Sequence, residues 1–226
     1  MIRTYMPMID NGLFVAEYYL KMPYNDITVD ILYNNIVLFS EKIAELIETE
    51  EFYRKITYTT HVNSSFTQMS TKKTREQLIR EQQEDLLDNM GNDKNCLYCG
   101  QKQVNTNLNI DRKFMYGLIS QTFYNSANNL QTVDICPICA YLSMLSILNI
   151  QKIGMPTLYI SDSDDLMRAI TEHIQNLDIE DLDLDSNSKA NELVNVSLIN
   201  TDIPGYITQF CFQNSGQIVN DVERTF

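Results

Sequence analysis

Two C-x-x-C pairs constrain the fold of this chain more than any other feature of its sequence. "CLYCG" spans residues 96–100 and "CPIC" spans residues 136–139, and 36 residues separate the two pairs. Four thiolates on two tight turns are a common ligand set for structural zinc, which is tetrahedral in such sites. The sequence therefore predicts that one structural Zn²⁺ ion is bound by Cys96, Cys99, Cys136 and Cys139.

Local features at both pairs favour thiolate. Gly100 can take up the left-handed conformation, which would turn backbone N–H groups towards the sulfurs. Pro137 is a favoured first residue of a helix, so Cys136 and Cys139 are predicted to lie at a helix N-terminus, where the dipole favours negative charge. Backbone N–H groups at the first pair and the helix dipole at the second can therefore offset the negative charge of the four thiolates.

A dithiol oxidoreductase is the main chemical alternative, because a proline between two cysteines at a helix start is also typical of thioredoxin-like proteins. Such chemistry needs one pair that follows an early strand, whereas this chain has two pairs and "CPIC" lies late. A catalytic metal would leave one position open and usually recruits a histidine. Neither His61 nor His173 lies between the pairs, so we expect a structural metal and no enzymatic activity.

Charge and composition set limits on partners and compartment. The net charge of −13 argues against a chain that clamps nucleic acid by itself, because phosphate neutralisation dominates such binding. Only residues 51–130 carry more basic than acidic side chains, ten against eight. The apolar stretches are too short or too interrupted for a signal peptide or a membrane span. Cysteines in C-x-x-C pairs suit a reducing compartment, so we expect a soluble, cytoplasmic protein.

Periodicity predicts a mixture of helices and strands. One helix is predicted from the N-cap Thr28 to about Glu51, with a single apolar stripe. A second, strongly charged helix over about 71–90 is expected to be largely solvated or to face a partner, and a third from Pro137 to Ile150 to be buried. A further helix is predicted over 163–176. Strands are predicted at "PTLYIS", "ELVNVSLIN" and "YITQFCF".

The predicted class is α+β: a helix-rich N-terminal region with an inserted four-cysteine, zinc-ribbon-like site and a small late β-sheet. We expect a domain over residues 1–176, with the cysteine site at 96–139, then an acidic loop or linker over 177–192 and a β segment over 193–226. In that acidic stretch, Asp181, Asp183, Asp185, Asn187 and Glu192 match the spacing of a calcium loop, but Ser186 replaces its turn glycine. We therefore interpret it as a solvated loop. His61 is expected to be a surface or capping residue and His173 to be solvated.

The order of several segments resembles the CRISPR-associated CXXC-CXXC protein family. These segments are "NGLFVAEYYLK", "VNSSFTQ", "CLYCG", "FYNSANNLQTVDICPICAYLSML" and "IGMPTLYISDSDDLM", which together cover about residues 10–176. The resemblance implies the non-catalytic large subunit of a type I-B RNA-guided surveillance complex (Cascade). That role implies as partners the other complex subunits, guide RNA, target double-stranded DNA and a separately recruited helicase-nuclease. Members are usually longer, so we expect a truncated member or its N-terminal portion.

A candidate nucleic-acid surface lies in the middle of the chain, where polar and basic residues follow one another. In guided recognition, base pairing reads most of the sequence, while protein contacts read the backbone and a short flanking motif. The alternative interpretation is a polar loop that caps a solvated, charged helix. The candidate contact residues are Asn63, Ser64, Ser65, Thr67, Lys72, Lys73, Arg75 and Arg80.

Three functions therefore remain open from the sequence. The first is a surveillance subunit with structural zinc, and the second is a zinc-stabilised protein-interaction module without direct DNA binding. The third is a dithiol oxidoreductase, which would carry a titratable disulfide and no metal.

Overall fold

A computed structural model describes residues 1–61, 64–67, 70, 72–108, 134–151, 156–176, 203–214 and 218–225. The predicted strand "ELVNVSLIN" and the acidic stretch with the calcium-loop spacing lie outside the described residues. Within them, none of the helices is long and apolar enough to span a membrane. The predicted α+β class is confirmed: helices dominate the N-terminal region, and the two sheets are small.

Seven α-helices and five strands make up the described part of the chain. The helices are α1 (Pro7–Leu20), α2 (Val29–Asn34), α3 (Ile36–Thr49), α4 (Glu51–Thr60), α5 (Arg75–Asp88), α6 (Pro137–Leu145) and α7 (Asp164–Asn176). The strands are β1 (Lys94–Asn95), β2 (Lys102–Val104), β3 (Thr157–Ser161), β4 (Ile207–Asn214) and β5 (Ile218–Thr225). Short 3₁₀ turns cover Tyr24–Asp26 and Ser146–Asn149.

Helix α1 lies at the centre of the structure. Every residue from Pro7 to Ala16 is buried, and the helix packs against α6, α7 and β3. The buried set includes the polar residues Asp10 and Asn11 and the small residue Gly12. A Cβ built on Gly12 would lie 1.7 Å from the carbonyl oxygen of Leu142 in α6. The two helices therefore approach so closely at this point that only glycine fits.

Asp10 receives hydrogen bonds from several groups of the segment that precedes α1. Arg3 Nε donates to it at 3.1 Å, and Thr4 donates through its backbone N–H and its hydroxyl, each at 2.8 Å. Arg3 also pairs with Asp164 at the start of α7, at 2.9 Å. Both Arg3 and Asp10 are almost fully buried, so the charges stabilise the structure only because each is paired and hydrogen-bonded.

The buried carboxylate of Asp10 leads to a stability prediction. We expect Asp10→Ala to destabilise the protein by about 3–5 kcal/mol, because it leaves a buried guanidinium with fewer partners. The matched control is Glu51→Ala, which removes one carboxylate from the exposed pair with Lys55 and should leave stability nearly unchanged, because solvent screens this pair. Urea unfolding of both variants measures the difference. Equal midpoints would contradict a stabilising role for the buried pair.

Strands β3, β4 and β5 form an antiparallel sheet in that order. The carbonyl groups of Thr157, Tyr159 and Ser161 point away from β4, and all three accept hydrogen bonds from outside the sheet. Their donors are the Gln151 backbone N–H at 2.9 Å, the Asn11 side-chain amide at 2.7 Å and the Arg3 guanidinium at 2.5 Å. Strand β4, from the predicted C-terminal segment, thus joins a sheet whose outer edge is covered by Gln151 and by Asn11 and Arg3 of the N-terminal region.

The helix predicted from Thr28 to about Glu51 is interrupted. Thr28 caps α2 as expected, since its hydroxyl accepts from the Ile31 N–H at 3.3 Å. However, α2 ends at Asn35, whose side-chain amide donates to the Ile31 carbonyl at 2.8 Å. This local hydrogen bond competes with the helix and separates α2 from α3. The predicted apolar stripe is confirmed, and its members Leu32, Ile36, Phe39, Ile43 and Ile47 are all buried.

The charged helix α5 is shorter than predicted. It begins after Thr74, which forms a reciprocal capping box with Gln77. One face packs against α3 and α6 through Ile79, Leu86 and Leu87, which are buried. The other residues of α5, apart from Gln83, are exposed or half-buried, so the helix is largely solvated outside this face, as expected. Helix α6 is buried along its whole length, as predicted.

His61 is not a surface residue. It caps the C-terminus of α4, is fully buried, and lies between Thr60, whose hydroxyl is 2.8 Å from Nδ1, and the ring of Phe66. Burial lowers the pKa of His61 from 6.5 to about 3. His173 is half-buried, and burial lowers its pKa as well. Of the expected surface or capping position for His61, the capping position is confirmed and the surface position is wrong, because packing by α6 and residues 64–67 covers the ring.

The buried neutral imidazole predicts a pH dependence of stability. Below pH 6.5 the unfolded chain binds a proton at His61 that the folded chain excludes, so stability falls as pH falls towards the folded-state pKa. Between about pH 7.5 and about pH 5 this group alone should remove about 2 kcal/mol. We expect His61→Gln to lack this part of the loss when urea midpoints are compared at both values. His173→Gln is the matched control, and an identical pH dependence in wild type and His61→Gln would contradict the assignment.

Candidate metal centre

The first cysteine pair lies on the turn between β1 and β2, which form a short antiparallel ribbon. The Cys96 N–H donates to the Gln101 carbonyl at 2.8 Å, and the Gly100 N–H donates to the Cys96 carbonyl at 2.9 Å. Gly100 has a φ of +70°, the left-handed conformation predicted for it. These bonds close a tight knuckle that turns the thiols of Cys96 and Cys99 to the same side.

The second pair lies at the start of α6. Cys136 is the N-cap residue, and its Sγ accepts from the Cys139 N–H at 3.4 Å. Pro137 is the first helical residue, as predicted. Because residues 136–139 form the cap and first turn of a buried helix, both thiols point at the ribbon from a rigid support.

The four Sγ atoms converge on one point. All lie within 4.8 Å of one another, and the Cys96–Cys139 and Cys99–Cys136 separations are both 3.7 Å. A tetrahedral zinc ion with Zn–S bonds of about 2.3 Å requires sulfurs about 3.8 Å apart. A disulfide would need about 2.05 Å, and all four cysteines are free. The arrangement therefore fits a metal ion with four sulfur ligands.

Backbone N–H groups also point at the sulfurs. The Cys136 N–H donates to Cys96 Sγ at 3.4 Å. Hydrogen bonds with the Cys136 and Cys139 thiols lower the pKa of Cys99, and the Gln101 backbone contributes to this. The N–H of Gly100 itself donates to the Cys96 carbonyl and is not available to a sulfur. Gln101 was not predicted from the sequence; its signal is its position two residues after the second cysteine of a C-x-x-C knuckle.

The protonation of the cluster is unequal. Hydrogen bonding by the Cys136 thiol lowers the pKa of Cys96, whereas hydrogen bonding to Cys136 and burial raise the pKa of Cys139. Ionisation of all four thiols would place several negative charges in a site where three of the cysteines are buried. A divalent cation bound to the sulfurs would stabilise the buried thiolates, because its positive charge offsets their negative charge directly.

Contacts outside the cluster hold the ribbon against the segment that enters α6. The Leu97 N–H donates to the Asp134 carbonyl at 2.8 Å, and Lys94 pairs with the Asp134 carboxylate at 3.2 Å. Asp134 was not predicted as part of the site. With four protein sulfurs around one point, no ligand position is left for substrate, which is the pattern of structural rather than catalytic zinc.

The knuckle allows a test of backbone conformation alone. A Cβ on Gly100 would have no atom of the described residues within 4 Å, so Gly100→Ala introduces only the strain of a positive φ. We expect it to lower stability by about 1–2 kcal/mol. Gly100→Asn is the matched control and should cost less, because asparagine tolerates the left-handed region. Thermal unfolding measures both, and equal stability of wild type and Gly100→Ala would contradict the assigned conformation.

The predicted nucleic-acid residues lie away from the cysteines, around the N-terminus of α5. Ser64 and Ser65 are buried, and Thr67 is half-buried. Arg75 donates to the Phe66 carbonyl and lies 3.7 Å from a Glu48 carboxylate oxygen. Lys73 pairs with Glu81 at 2.6 Å, Arg80 pairs with Glu84 at 2.9 Å, and Lys72 is exposed. Asn63 lies outside the described residues.

Comparison of the chain with protein-family models, with curated proteins and with solved structures found no match. The four-cysteine cluster is therefore identified as a candidate functional site from the structure of this chain alone.

Proposed function

We propose that the four cysteines bind one Zn²⁺ ion with a structural role. The observation that carries the proposal is the convergence of four sulfurs from two distant turns, with separations of 3.7 Å that match a tetrahedral thiolate site. The ion would fasten the β1–β2 ribbon to the buried helix α6. Binding energy of such an ion contributes directly to folding, because the unfolded chain has no preformed site.

Metal analysis of the purified full chain tests this proposal. We expect about one zinc per chain, and a cobalt-substituted sample should show the thiolate-to-metal charge-transfer bands of a tetrahedral sulfur site. A metal-free, folded protein with a titratable disulfide would overturn the proposal and favour the dithiol oxidoreductase. The geometry favours zinc over that alternative, because both 3.7 Å contacts join one C-x-x-C pair to the other.

We further propose that the chain is a non-catalytic large subunit of a type I-B CRISPR RNA-guided surveillance complex. The support is the order of sequence segments, with two cysteine pairs between a charged helix and a buried helix. In this role the subunit would assist recognition of the motif that flanks the target and opening of the DNA duplex in antiviral defence. Guide RNA would read the target by base pairing, so the protein itself needs only limited contacts with bases.

Isolation of the tagged chain from its host tests this second proposal. We expect guide RNA and the other subunits of the complex to co-purify, and sequencing of the bound RNA to identify the guide. A Cys136→Ser variant is the matched control, because loss of the folded chain should remove both. A partner protein without RNA would overturn the surveillance role and support the alternative, a zinc-stabilised protein-interaction module.

One observation favours that alternative. Lys73, Arg75 and Arg80 each lie near a carboxylate, which lowers the positive charge that the predicted surface offers to phosphates. Arg75 is also tied to the Phe66 carbonyl, so it serves the structure in its own right.

Replacement of two lysines by alanine distinguishes the surveillance subunit from the protein-interaction module. If the surveillance role holds, Lys72→Ala with Lys73→Ala should weaken binding of target DNA by the assembled complex and reduce the salt slope by up to about two. Lys55→Ala, at an exposed position of α4, is the control for a general loss of charge. Unchanged affinity and slope would remove this surface from the proposed DNA interface.

A further inference from the structure

A cavity of about 550 Å³ lies directly against the cysteine cluster. Cys99 and Cys139 form part of its wall, next to the apolar side chains of Ile9, Ile138 and Leu142 from α1 and α6. Ile2, which is 45 % exposed, extends this apolar surface outwards. The volume lies within the range of about 300–1,000 Å³ that is typical of ligand sites.

The polar side chains of the cavity outside the cluster are neutral. They include those of Asn25, Gln101 and Gln103, and none of the described residues that line the cavity has an acidic or basic side chain. The Met1 ammonium is occupied by backbone carbonyls, to two of which it donates at 3.0 Å. Gln101 and Gln103 both line the cavity, whereas Lys102 between them does not. The described lining of the recess beside the cysteine cluster therefore has no charged side chain, although the chain carries a net charge of −13.

A recess of this kind selects among possible occupants. Phosphate needs cationic or N–H-rich surroundings, and the described lining includes no lysine or arginine, so a nucleic-acid backbone is a poor match. Primary amides donate and accept at once, as peptide groups do, and they complement a peptide backbone without any buried charge. Apolar walls with few charges are also the composition of interface cores between proteins.

We propose that this cavity binds a segment of a partner protein, with an apolar side chain on Ile9, Ile138 and Leu142 and its flanking peptide groups hydrogen-bonded by Gln101 and Gln103. The inference stands apart from the RNA-guided role, since it uses only the neutral, apolar composition of the cavity. The metal centre would fix the ribbon and thereby the spacing of both amides from the apolar wall.

Titration with a minimal peptide mimic tests the proposal on the full, metal-loaded chain. The probe is N-acetyl-leucine N′-methylamide, and the readout is the ¹⁵N–¹H spectrum, in which the side-chain amides of Gln101 and Gln103 are assigned from alanine variants. We expect saturable shifts of both amides with a dissociation constant on the order of 1 mM. Gln103→Ala should weaken binding about fivefold, the effect of one neutral hydrogen bond.

Lys102→Ala is the matched control and should bind the probe as wild type does. The absence of saturable shifts at Gln101 and Gln103 would overturn the proposal. Stronger shifts of the same amides with adenosine would assign the cavity to a nucleobase instead, and dimerisation that blocks the probe would assign it to a second copy of the chain. Zinc content is measured on the same sample. A chain that holds zinc but does not bind the probe would contradict this inference alone, whereas a chain without zinc would contradict the metal site.

Discussion

Cys136→Ser is expected to abolish the folded state or leave a partly folded, aggregation-prone chain. A structural zinc site contributes on the order of 10–16 kcal/mol to folding, which equals or exceeds the total stability of most domains. Cys136 is fully buried at the N-cap of α6, so serine would remove a ligand, and its neighbouring sulfurs would lose their charge compensation. We expect metal content to fall from about one per chain towards zero, and the cooperative urea transition to disappear.

Cys211→Ser is the matched control, because it makes the same exchange at a cysteine of β4 that lies outside both C-x-x-C pairs. It should retain the metal and shift the unfolding midpoint only slightly. An unchanged unfolding curve for Cys136→Ser would contradict the role of the cluster in folding. Removal of metal from wild type by a chelator should reproduce the loss seen in Cys136→Ser and be reversed by added zinc.

Gly12→Ala is expected to have the second largest effect. Its methyl group would lie 1.7 Å from the Leu142 carbonyl oxygen, a contact that the rigid backbone of α6 cannot relieve without movement. Separation of α1 from α6 would open the centre of the core, so we expect a loss of about 3 kcal/mol or more. Urea unfolding measures the loss. Since α6 also carries Cys136 and Cys139, weaker metal retention should accompany it.

The knuckle glycine supplies the control for this second variant. Gly100→Ala makes the same chemical change where no described atom lies within 4 Å of the new methyl group. Its cost is the positive-φ strain of the knuckle without any steric contact, and we expect this cost to be clearly smaller. Equal losses at the two positions would show that the helix contact at Gly12 has no special importance.

Features with a local cause could be predicted from the sequence. The spacing of the cysteines indicated the cluster, Pro137 indicated the start of α6, and the hydroxyl of Thr28 indicated a helix cap; the structure has all three. The strand at 157–161 was likewise visible as a short apolar run between turn residues. The helix start, the cap and the strand depend on contacts within a few residues, and each half of the cluster is a local C-x-x-C turn, so a single sequence records them directly.

Features that depend on distant partners were missed. Helix α1 was not predicted, because buried Asp10 and Asn11 interrupt its apolar pattern and find their partners in Arg3, Tyr159 and Asn149. The same reason explains the failure for His61, which distant segments bury. The cavity beside the cluster combines residues from both halves of the described chain, so no single stretch of sequence indicated it.

The hydrogen-bond donors along the outer edge of β3 affect how readily two copies of the chain can associate through their sheets. A strand with free carbonyl groups at its margin can recruit a strand from another molecule and begin a growing assembly. Here the carbonyls of Thr157, Tyr159 and Ser161 are already occupied by Gln151, Asn11 and Arg3. Two of the three donors, Asn11 and Arg3, belong to the N-terminal region, so the segment that fills the centre of the core also blocks the addition of a strand from another molecule on that side of β3.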